Sequence, residues 1–275
     1  MKKIGLMKKG IIAIDLDGTL LNSNSELSDI NRDALLQAQQ NGFLVVIATG
    51  RSLFSAKKVL VKDLPIDYLI FSSGAGAVDW KTGELLFSNN IPISKTQNII
   101  DVLKKNHLNF MVHKAVPDNH WFAYHNANDN YPDFTLRKEI YSDYVLNLPN
   151  DNWKKESCQF IVMFSDITEF YNIKEFFSDM KVIRTTSPLN GETIWMEIFP
   201  VNVSKATGVD FLRKKYDLKI ENIVVIGNDF NDIDMLEYTE NSYVVANAPE
   251  KLLEKYKNVE SNNDNGVAKV IDMFI

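Results

Sequence analysis

Short apolar runs alternate with helix-like segments along much of the chain. The runs are rich in β-branched residues and lack polar alternation, which is typical of parallel strands covered on both faces: GIIAID, FLVVIAT, DYLIF and NIVVIGN. The intervening segments have helical spacing, as in SDINRDALLQAQQ, where Ser28 is the expected N-cap and Gly42 closes the helix. This β-α-β series predicts an α/β fold with a Rossmann-like, doubly wound parallel sheet.

The middle of the chain has a different character. It carries all four histidines, and its polar connections are longer. Clusters of turn-forming residues, SNNIPIS and SPLNG, bracket this part and suit linkers between domains. We therefore expect one domain formed by residues 1–90 and 189–275, with a second domain, residues 91–188, inserted into it.

The composition narrows the classes of partner and the location. The 275 residues are 45% hydrophobic and 24% charged, which suits one large globular domain or two smaller ones. The net charge of -6 comes without a block of lysine or arginine, so neither nucleic acid nor an anionic membrane is an expected partner. The single cysteine, Cys158, excludes internal disulfides and cysteine-rich zinc sites. The first apolar stretch stops at Asp15, too early for a signal peptide, and no later run reaches membrane-spanning length, so we expect a cytoplasmic protein.

Two carboxylates follow the first predicted strand. Asp15 and Asp17 are separated only by Leu16. In a parallel α/β sheet the ligand site lies beyond the carboxyl ends of the strands, and residues two apart on an extended backbone point the same way. Both carboxylates can therefore face one site, and two like charges held together usually require a cation or a shared proton.

Polar residues follow three further segments in the same manner. The stretch ATGRS supplies Thr49, Gly50 and Arg51, and NVSK places Lys205 at the start of a helix. The stretch GNDFND supplies a group of amide and carboxylate side chains: Asn228, Asp229, Asn231 and Asp232. Acids, amides, a hydroxyl and a lysine are therefore expected to converge on one edge of the sheet.

Taken in order, these stretches carry a family resemblance. DLDGT, then ATGRS, a lysine after an EIFP strand, and GNDFNDIDML resemble the haloacid dehalogenase superfamily, specifically its Cof-type phosphatases of subfamily IIB. The resemblance covers residues 11–90 and 191–275, and the inserted domain lies where subfamily IIB carries its α/β cap. It implies a magnesium-dependent phosphatase of small phosphorylated metabolites, with sugar phosphates among the candidates.

The resemblance also assigns the chemistry to particular residues. Asp15 is expected to attack phosphorus and form an aspartyl-phosphate, while Asp17 protonates the leaving oxygen and then activates water. Lys205 is expected to neutralise developing charge. The residues expected to hold the phosphate are Thr49, Gly50, Arg51, Lys205 and Asn231.

The same resemblance implies a Mg²⁺ cofactor, which would bridge Asp15 and a phosphate oxygen and bind the main-chain carbonyl of Asp17. Asp232 is expected to orient Lys205 or a metal-bound water. One position departs from the family, because most relatives have aspartate where this chain has Asn228. Either Asn228 is a weaker, uncharged ligand, or the following Asp229 replaces it.

Several features leave alternatives open. In the SSGAGA loop, Ser73 and Gly74 are expected to line the site. The four histidines match no zinc signature and are expected at the cap surface or facing substrate, and the stretch HWFAYH would either stack on a substrate ring or fill the core of the inserted domain.

The function itself has three candidates. The leading one is the metabolite phosphatase. The second is a phosphatase of a cofactor such as pyridoxal phosphate or flavin mononucleotide. The third is a catalytically weak protein that binds phosphorylated metabolites, which Asn228 suggests. In each case the expected partner is a small phosphate ester, and the chain is expected to be a monomer or a weak homo-oligomer.

Overall fold

The computed structural model describes residues 8–127, 131–146, 148, 153–186 and 193–275. The chain forms two compact units. The first, here called the core unit, contains the chain up to Arg51 together with Ser55–Phe87 and Ser204–Ile275. The second, here called the cap unit, contains Ser52–Phe54 and Ser88–Val203.

The sheet of the core unit has the predicted architecture. Within the described residues it contains eight strands in the order β14-β13-β12-β1-β2-β3-β4-β5. Neighbours from β14 to β3 pair in parallel, whereas β3 and β4 are antiparallel. The strands are β1 (Gly10–Ile14), β2 (Phe43–Ala48), β3 (Tyr68–Phe71), β4 (Gly76–Asp79), β5 (Leu85–Ser88), β12 (Ile223–Gly227), β13 (Ser242–Val245) and β14 (Lys257–Val259).

Every residue of β1, β2 and β12 is buried, as expected for parallel strands covered on both faces. The helices of the core unit are α1 (Asp29–Gln40), α2 (Leu53–Val59), α6 (Lys205–Lys215), α7 (Ile233–Leu236), α8 (Glu250–Leu253) and α9 (Gly266–Asp272). The first two residues of α2 belong to the cap segment Ser52–Phe54. The side chain of Ser28 accepts from the backbone N–H of Asn31 at 3.1 Å and caps α1. The prediction of a doubly wound α/β fold is confirmed.

The cap unit has its own sheet, with strand order β10-β11-β9-β6-β7-β8. Its strands are β6 (Phe110–Lys114), β7 (Phe122–His125), β8 (Val145–Leu146), β9 (Ser157–Phe164), β10 (Met180–Thr186) and β11 (Ile194–Pro200). Its helices are α3 (Ile93–Lys105), α4 (Pro132–Ile140) and α5 (Ile167–Lys174). Phe122, from the HWFAYH stretch, belongs to an apolar cluster with Phe134 and Trp195, so this ring fills the interior of the unit.

Two sequence predictions differ from the structure. The core was expected to resume at residue 189, but β11 pairs with β9 and β10 in the sheet of the cap unit, and the core unit resumes at Ser204. An apolar strand carries no mark of the sheet that it joins, which is why EIFP was assigned to the core. The predicted linker SPLNG, residues 187–191, lies outside the described residues. Of the two places predicted for the histidines, the cap surface is wrong for His113, which is 3% exposed and bonds through Nδ1 to the carbonyl oxygen of Asn119.

None of the helices in the described part of the chain is long and apolar enough to cross a membrane.

Candidate active site

The chain leaves β1 through an irregular turn that carries both predicted acids. Asp15 follows the strand and is 4% exposed. Leu16–Leu20 then form a π-helical turn, here called the π-turn, in which Asp17 is extended and Gly18 has a φ of 74°. This φ favours glycine, and a Cβ at Gly18 would also lie 2.5 Å from the side-chain amide of Asn228, which would have to move.

Lys205 reaches Asp15 from the first residue of α6. Its Nζ donates to Asp15 Oδ1 and to Asp232 Oδ1, each at 2.6 Å, and the lysine side chain is fully buried. Ser204 caps the helix by accepting from Thr207 N. Gly74, at a φ of 101°, allows this close approach, because a Cβ there would lie 2.0 Å from the carbonyl oxygen of Ser204. Gly74 therefore supports the helix that carries the lysine.

Asp232 uses both carboxylate oxygens within the protein. Oδ1 accepts from Lys205, and Oδ2 accepts from the backbone N–H groups of Asn228 at 2.9 Å and Asp229 at 3.1 Å. Gly227 makes room for this carboxylate, since a Cβ at Gly227 would lie 2.7 Å from it. Of the two roles predicted for Asp232, the contacts match the orientation of Lys205.

Burial and the neighbouring charges shift the pKa values of Asp15 and Lys205. Burial, with the Asp232 charge in addition, raises the pKa of the Asp15 carboxyl to about 7, although Lys205 opposes the shift. Burial alone would lower the pKa of Lys205, but the two carboxylates outweigh it and hold the pKa above its ordinary value. Two carboxylates thus share one ammonium, and this centre can accept further positive charge.

The second oxygen of Asp15 belongs to a group that suits a cation. One side-chain amide atom of Asn228 lies 3.2 Å from Asp15 Oδ2, from the main-chain oxygen of Asp17 and from Thr19 Oγ1. With nitrogen at this position, the amide donates to these oxygens. With oxygen there, three oxygen ligands face one another, which is the donor set that Mg²⁺ prefers. We call Asp15 Oδ2, the Asp17 carbonyl and the Asn228 amide the oxygen cluster.

Asp229 lies differently. Its Oδ1 accepts from the backbone N–H of Phe230 at 2.7 Å, and burial raises the pKa of its carboxyl. Among the described residues, no group of three His, Cys, Asp or Glu side chains is arranged to hold a metal.

The guanidinium of Arg51, which was predicted to bind phosphate, contacts the carboxylate of Asp17 in this structure. Nε and Nη2 donate to the two carboxylate oxygens of Asp17 at 2.8 and 2.7 Å. This two-pronged geometry is the one that arginine uses for carboxylate and phosphate alike. The sequence could not reveal the choice, because a long side chain takes its partner from the folded surroundings.

Gly50, Ser73 and Asn231 lie together, and Thr49 precedes Gly50 directly after β2. A Cβ at Gly50 would lie 3.6 Å from Ser73 Oγ and 3.8 Å from Asn231 Nδ2, so these two side chains flank the glycine. Ser73 has a φ of 55°, and its buried Oγ has no hydrogen-bond partner within the part of the chain that the structure describes. Thr49 is buried, and its Oγ1 accepts from Arg51 N. A buried hydroxyl without a partner beside an amide N–H donor suits an anion such as phosphate.

Sequence reasoning missed two contributors. Thr19 donates to Asp15 Oδ2 at 3.0 Å, and Asn247 donates to the carbonyl oxygen of Gly18 at 2.8 Å. Thr19 lies within the DLDGT stretch, four residues after Asp15, and this spacing was the available signal. Asn247 follows β13 and carries no comparable local signal, since its contact spans 229 residues.

The fold and site together define a doubly wound α/β protein whose buried aspartate, paired with a lysine, lies at the carboxyl end of the first strand. A family model described as haloacid dehalogenase-like hydrolase matches residues 12–271. The chain therefore belongs to the haloacid dehalogenase-like hydrolases, and the superfamily predicted from the sequence is confirmed.

Individual proteins that are similar to this chain are named as phosphatases. The 5-amino-6-(5-phospho-D-ribitylamino)uracil phosphatase YwtE of Bacillus subtilis is 30% identical over 96% of this chain and 97% of its own. Two solved structures share the fold. BT1666 from Bacteroides thetaiotaomicron, a phosphatase of the haloalkanoate superfamily, is 22% identical with a TM-score of 0.78 over 100% of this chain and 98% of its own. The subclass IIB sugar phosphatase BT4131 is 19% identical with a TM-score of 0.75 over 96% and 98% of the respective chains.

Proposed function

We propose that this chain is a magnesium-dependent phosphatase that hydrolyses small phosphate monoesters through an aspartyl-phosphate on Asp15. The observation that carries the proposal is the environment of that one carboxylate. Asp15 is buried at the end of β1, with Oδ1 bonded to Lys205 and Oδ2 in the oxygen cluster. A carboxylate held in this way is fixed in position for attack on phosphorus.

The residues divide the reaction into two displacements. In the first, an oxygen of Asp15 attacks phosphorus, the bond from phosphorus to the ester oxygen breaks, and Asp17 gives its proton to the departing oxygen. In the second, Asp17 takes a proton from water, whose oxygen attacks phosphorus and displaces Asp15 as inorganic phosphate leaves. Asp17 has to exchange its contact with Arg51 before it can donate to the leaving oxygen.

The groups around Asp15 have supporting roles. Lys205 is proposed to balance negative charge that develops on the phosphoryl oxygens, and Asp232 keeps the lysine in place. Thr49, Ser73 and Asn231 are proposed to hold the phosphate oxygens.

The oxygen cluster would hold Mg²⁺ through Asp15, the Asp17 carbonyl and Asn228. When bound, the ion supplies positive charge that reduces the repulsion between the Asp15 carboxylate and a phosphate dianion.

The similarity to the uracil-derivative phosphatase supports a substrate whose phosphate is attached to a sugar or ribityl chain. Phosphorylated cofactors, of which flavin mononucleotide carries the same kind of chain, are the second candidate. The net charge of -6 supports the expectation that nucleic acid is not a partner. A cytoplasmic location and a monomeric or weakly oligomeric state stay predictions.

The test is hydrolysis of 4-nitrophenyl phosphate with and without Mg²⁺, followed by a screen of sugar, ribityl and cofactor phosphates. We expect phosphate release only with the metal, and Asp15→Asn should reduce turnover to background while its circular dichroism spectrum stays that of the wild type. Asp33→Asn is the control. It removes the same charge from an exposed position on α1 and should leave turnover unchanged. Turnover of Asp15→Asn near the wild-type rate would contradict the proposal, and metabolite binding without turnover by the wild type would favour the binding-protein alternative.

A further inference from the structure

Three asparagine side chains hold the main chain at the π-turn. Each donates its amide nitrogen to a carbonyl oxygen of the turn or of the residue that follows it. The pairs are Asn247 to Gly18 at 2.8 Å, Asn31 to Leu20 at 3.2 Å and Asn262 to Leu21 at 2.9 Å. We call these three side chains the amide clamp.

In two of these side chains the amide oxygen also accepts a hydrogen bond. Asn247 Oδ1 accepts from the backbone N–H of Asn262 at 3.0 Å, and Asn31 Oδ1 accepts from that of Ala268 at 3.1 Å. A primary amide can donate and accept at the same time, which neither a carboxylate nor a hydrocarbon side chain of similar size can do. The clamp therefore ties the π-turn to the segment that contains Asn262 and Ala268.

The π-turn needs such support because its backbone is irregular. Within it, the non-helical backbone of Asp17 and Gly18 interrupts the regular pattern. Two backbone bonds close the turn, Leu20 N to Asp15 O at 3.2 Å and Leu21 N to Leu16 O at 3.0 Å, and neither uses the peptide groups on either side of Gly18. Those peptide groups contain the Asp17 carbonyl, which belongs to the oxygen cluster.

We propose that Asn247 is a positioning residue of the active site. By fixing the Gly18 carbonyl it holds the adjacent Asp17 peptide, and with it the carbonyl of the oxygen cluster and the carboxylate that acts as acid and base. This inference rests on the proposed function. Asn31 and Asn262 are 1% and 5% exposed, so their replacement leaves buried carbonyl groups unpaired and acts on stability first. Asn247 is exposed, so its contribution can be measured in a folded protein.

The test compares Asn247→Ala with Asn263→Ala. Asn263 is an exposed asparagine outside the amide clamp. It accepts from Ser23 N and donates to Ser23 Oγ, each at 3.0 Å, and so contacts the chain beyond the π-turn. For Asn247→Ala we expect kcat to fall about 10- to 100-fold, the usual effect of losing a residue that orients a catalytic group. The KM for the phosphate ester should change little, because the proposed phosphate contacts lie elsewhere, and the Mg²⁺ concentration for half-maximal rate should rise. Asn263→Ala should match the wild type in all three.

Hydrogen exchange provides a readout that needs no activity. In Asn247→Ala, the backbone amides of residues 18–21 should exchange faster than in the wild type, whereas in Asn263→Ala they should not. Unchanged exchange in Asn247→Ala would overturn the proposal, as would equal losses of kcat in both variants. If the wild type hydrolyses no phosphate ester, the proposed function fails, while the exchange comparison still decides whether Asn247 holds the turn.

Discussion

Asn228 contributes a neutral amide, and no formal negative charge, to the oxygen cluster. Its amide faces Asp15 Oδ2 and the Asp17 carbonyl, whereas the neighbouring carboxylate of Asp229 accepts from Phe230 N. An amide oxygen can bind Mg²⁺ but brings no formal charge. Of the two alternatives that the sequence left open, we propose the first, in which Asn228 is the uncharged ligand.

This alternative predicts the effect of two substitutions. Asn228→Asp should lower the Mg²⁺ concentration for half-maximal activity roughly tenfold, because one added charge near the ion is worth at least about 1 kcal/mol. Asp229→Ala should leave that concentration nearly unchanged. Magnesium titrations of the hydrolysis rate measure both. The reverse pattern, with no change in Asn228→Asp and collapse in Asp229→Ala, would place the ligand one residue later.

Much of this site could be anticipated at the level of single residues. Asp15 and Asp232 follow the neighbouring strands β1 and β12, and the carboxyl ends of parallel strands share one edge, whereas Lys205 comes from the start of α6. The partner of Arg51 could not be anticipated, because both phosphate and the Asp17 carboxylate satisfy the same planar fork. The contact of Asn247 depends on chain segments that are adjacent only in the fold.

At the scale of elements, the packing of the loop after β3 against the start of α6 places the lysine. Gly74 is the contact point, since a Cβ there would overlap the carbonyl oxygen of Ser204. The sequence predicted α6 and the strands around it from apolar periodicity, but this backbone contact has no periodic signal. The same limit explains β11, whose apolar pattern predicted a strand without revealing which sheet it joins.

Gly74→Ala tests this element contact, and Gly83→Ala is its matched control. Both glycines have positive φ, 101° and 74°, but a Cβ at Gly83 would meet nothing within 4 Å. We expect Gly83→Ala to cost about 1 kcal/mol of unfolding free energy from backbone strain alone. Gly74→Ala should cost about 3 kcal/mol, because overpacking adds to the strain, and should also lower kcat by displacing Lys205. Denaturant unfolding and initial rates measure the two effects, and equal results for both variants would exclude a special contact at Gly74.

At the scale of the whole molecule, the two units differ in how the chain builds them. Apart from Ser52–Phe54, the cap unit is one continuous stretch, Ser88–Val203, and has its own apolar clusters on both sides of its sheet. The core unit needs both flanking parts of the chain, because β1 pairs with β2 on one side and with β12 on the other.

This difference predicts unequal behaviour of fragments. A fragment of residues 88–203 should fold alone, with a cooperative denaturant transition and dispersed amide resonances, because its sheet and apolar clusters come from within it. A fragment of residues 8–87 should not, because it lacks β12–β14 and the helices α6–α9. Cooperative folding of the 8–87 fragment would contradict this account, as would a lack of cooperative folding in the 88–203 fragment.

The pairing of β1 with β12 also has a consequence for synthesis on the ribosome. Some 208 residues separate the end of β1 at Ile14 from the start of β12 at Ile223. At ~5–20 residues per second, β12 is translated about ten to forty seconds after β1. Through that interval β2 can pair with one edge of β1, while the peptide groups at the other edge stay unpaired. An apolar strand with an unpaired edge can pair with the wrong chain. The nascent protein should therefore depend on chaperones until about the last fifth of the chain is made.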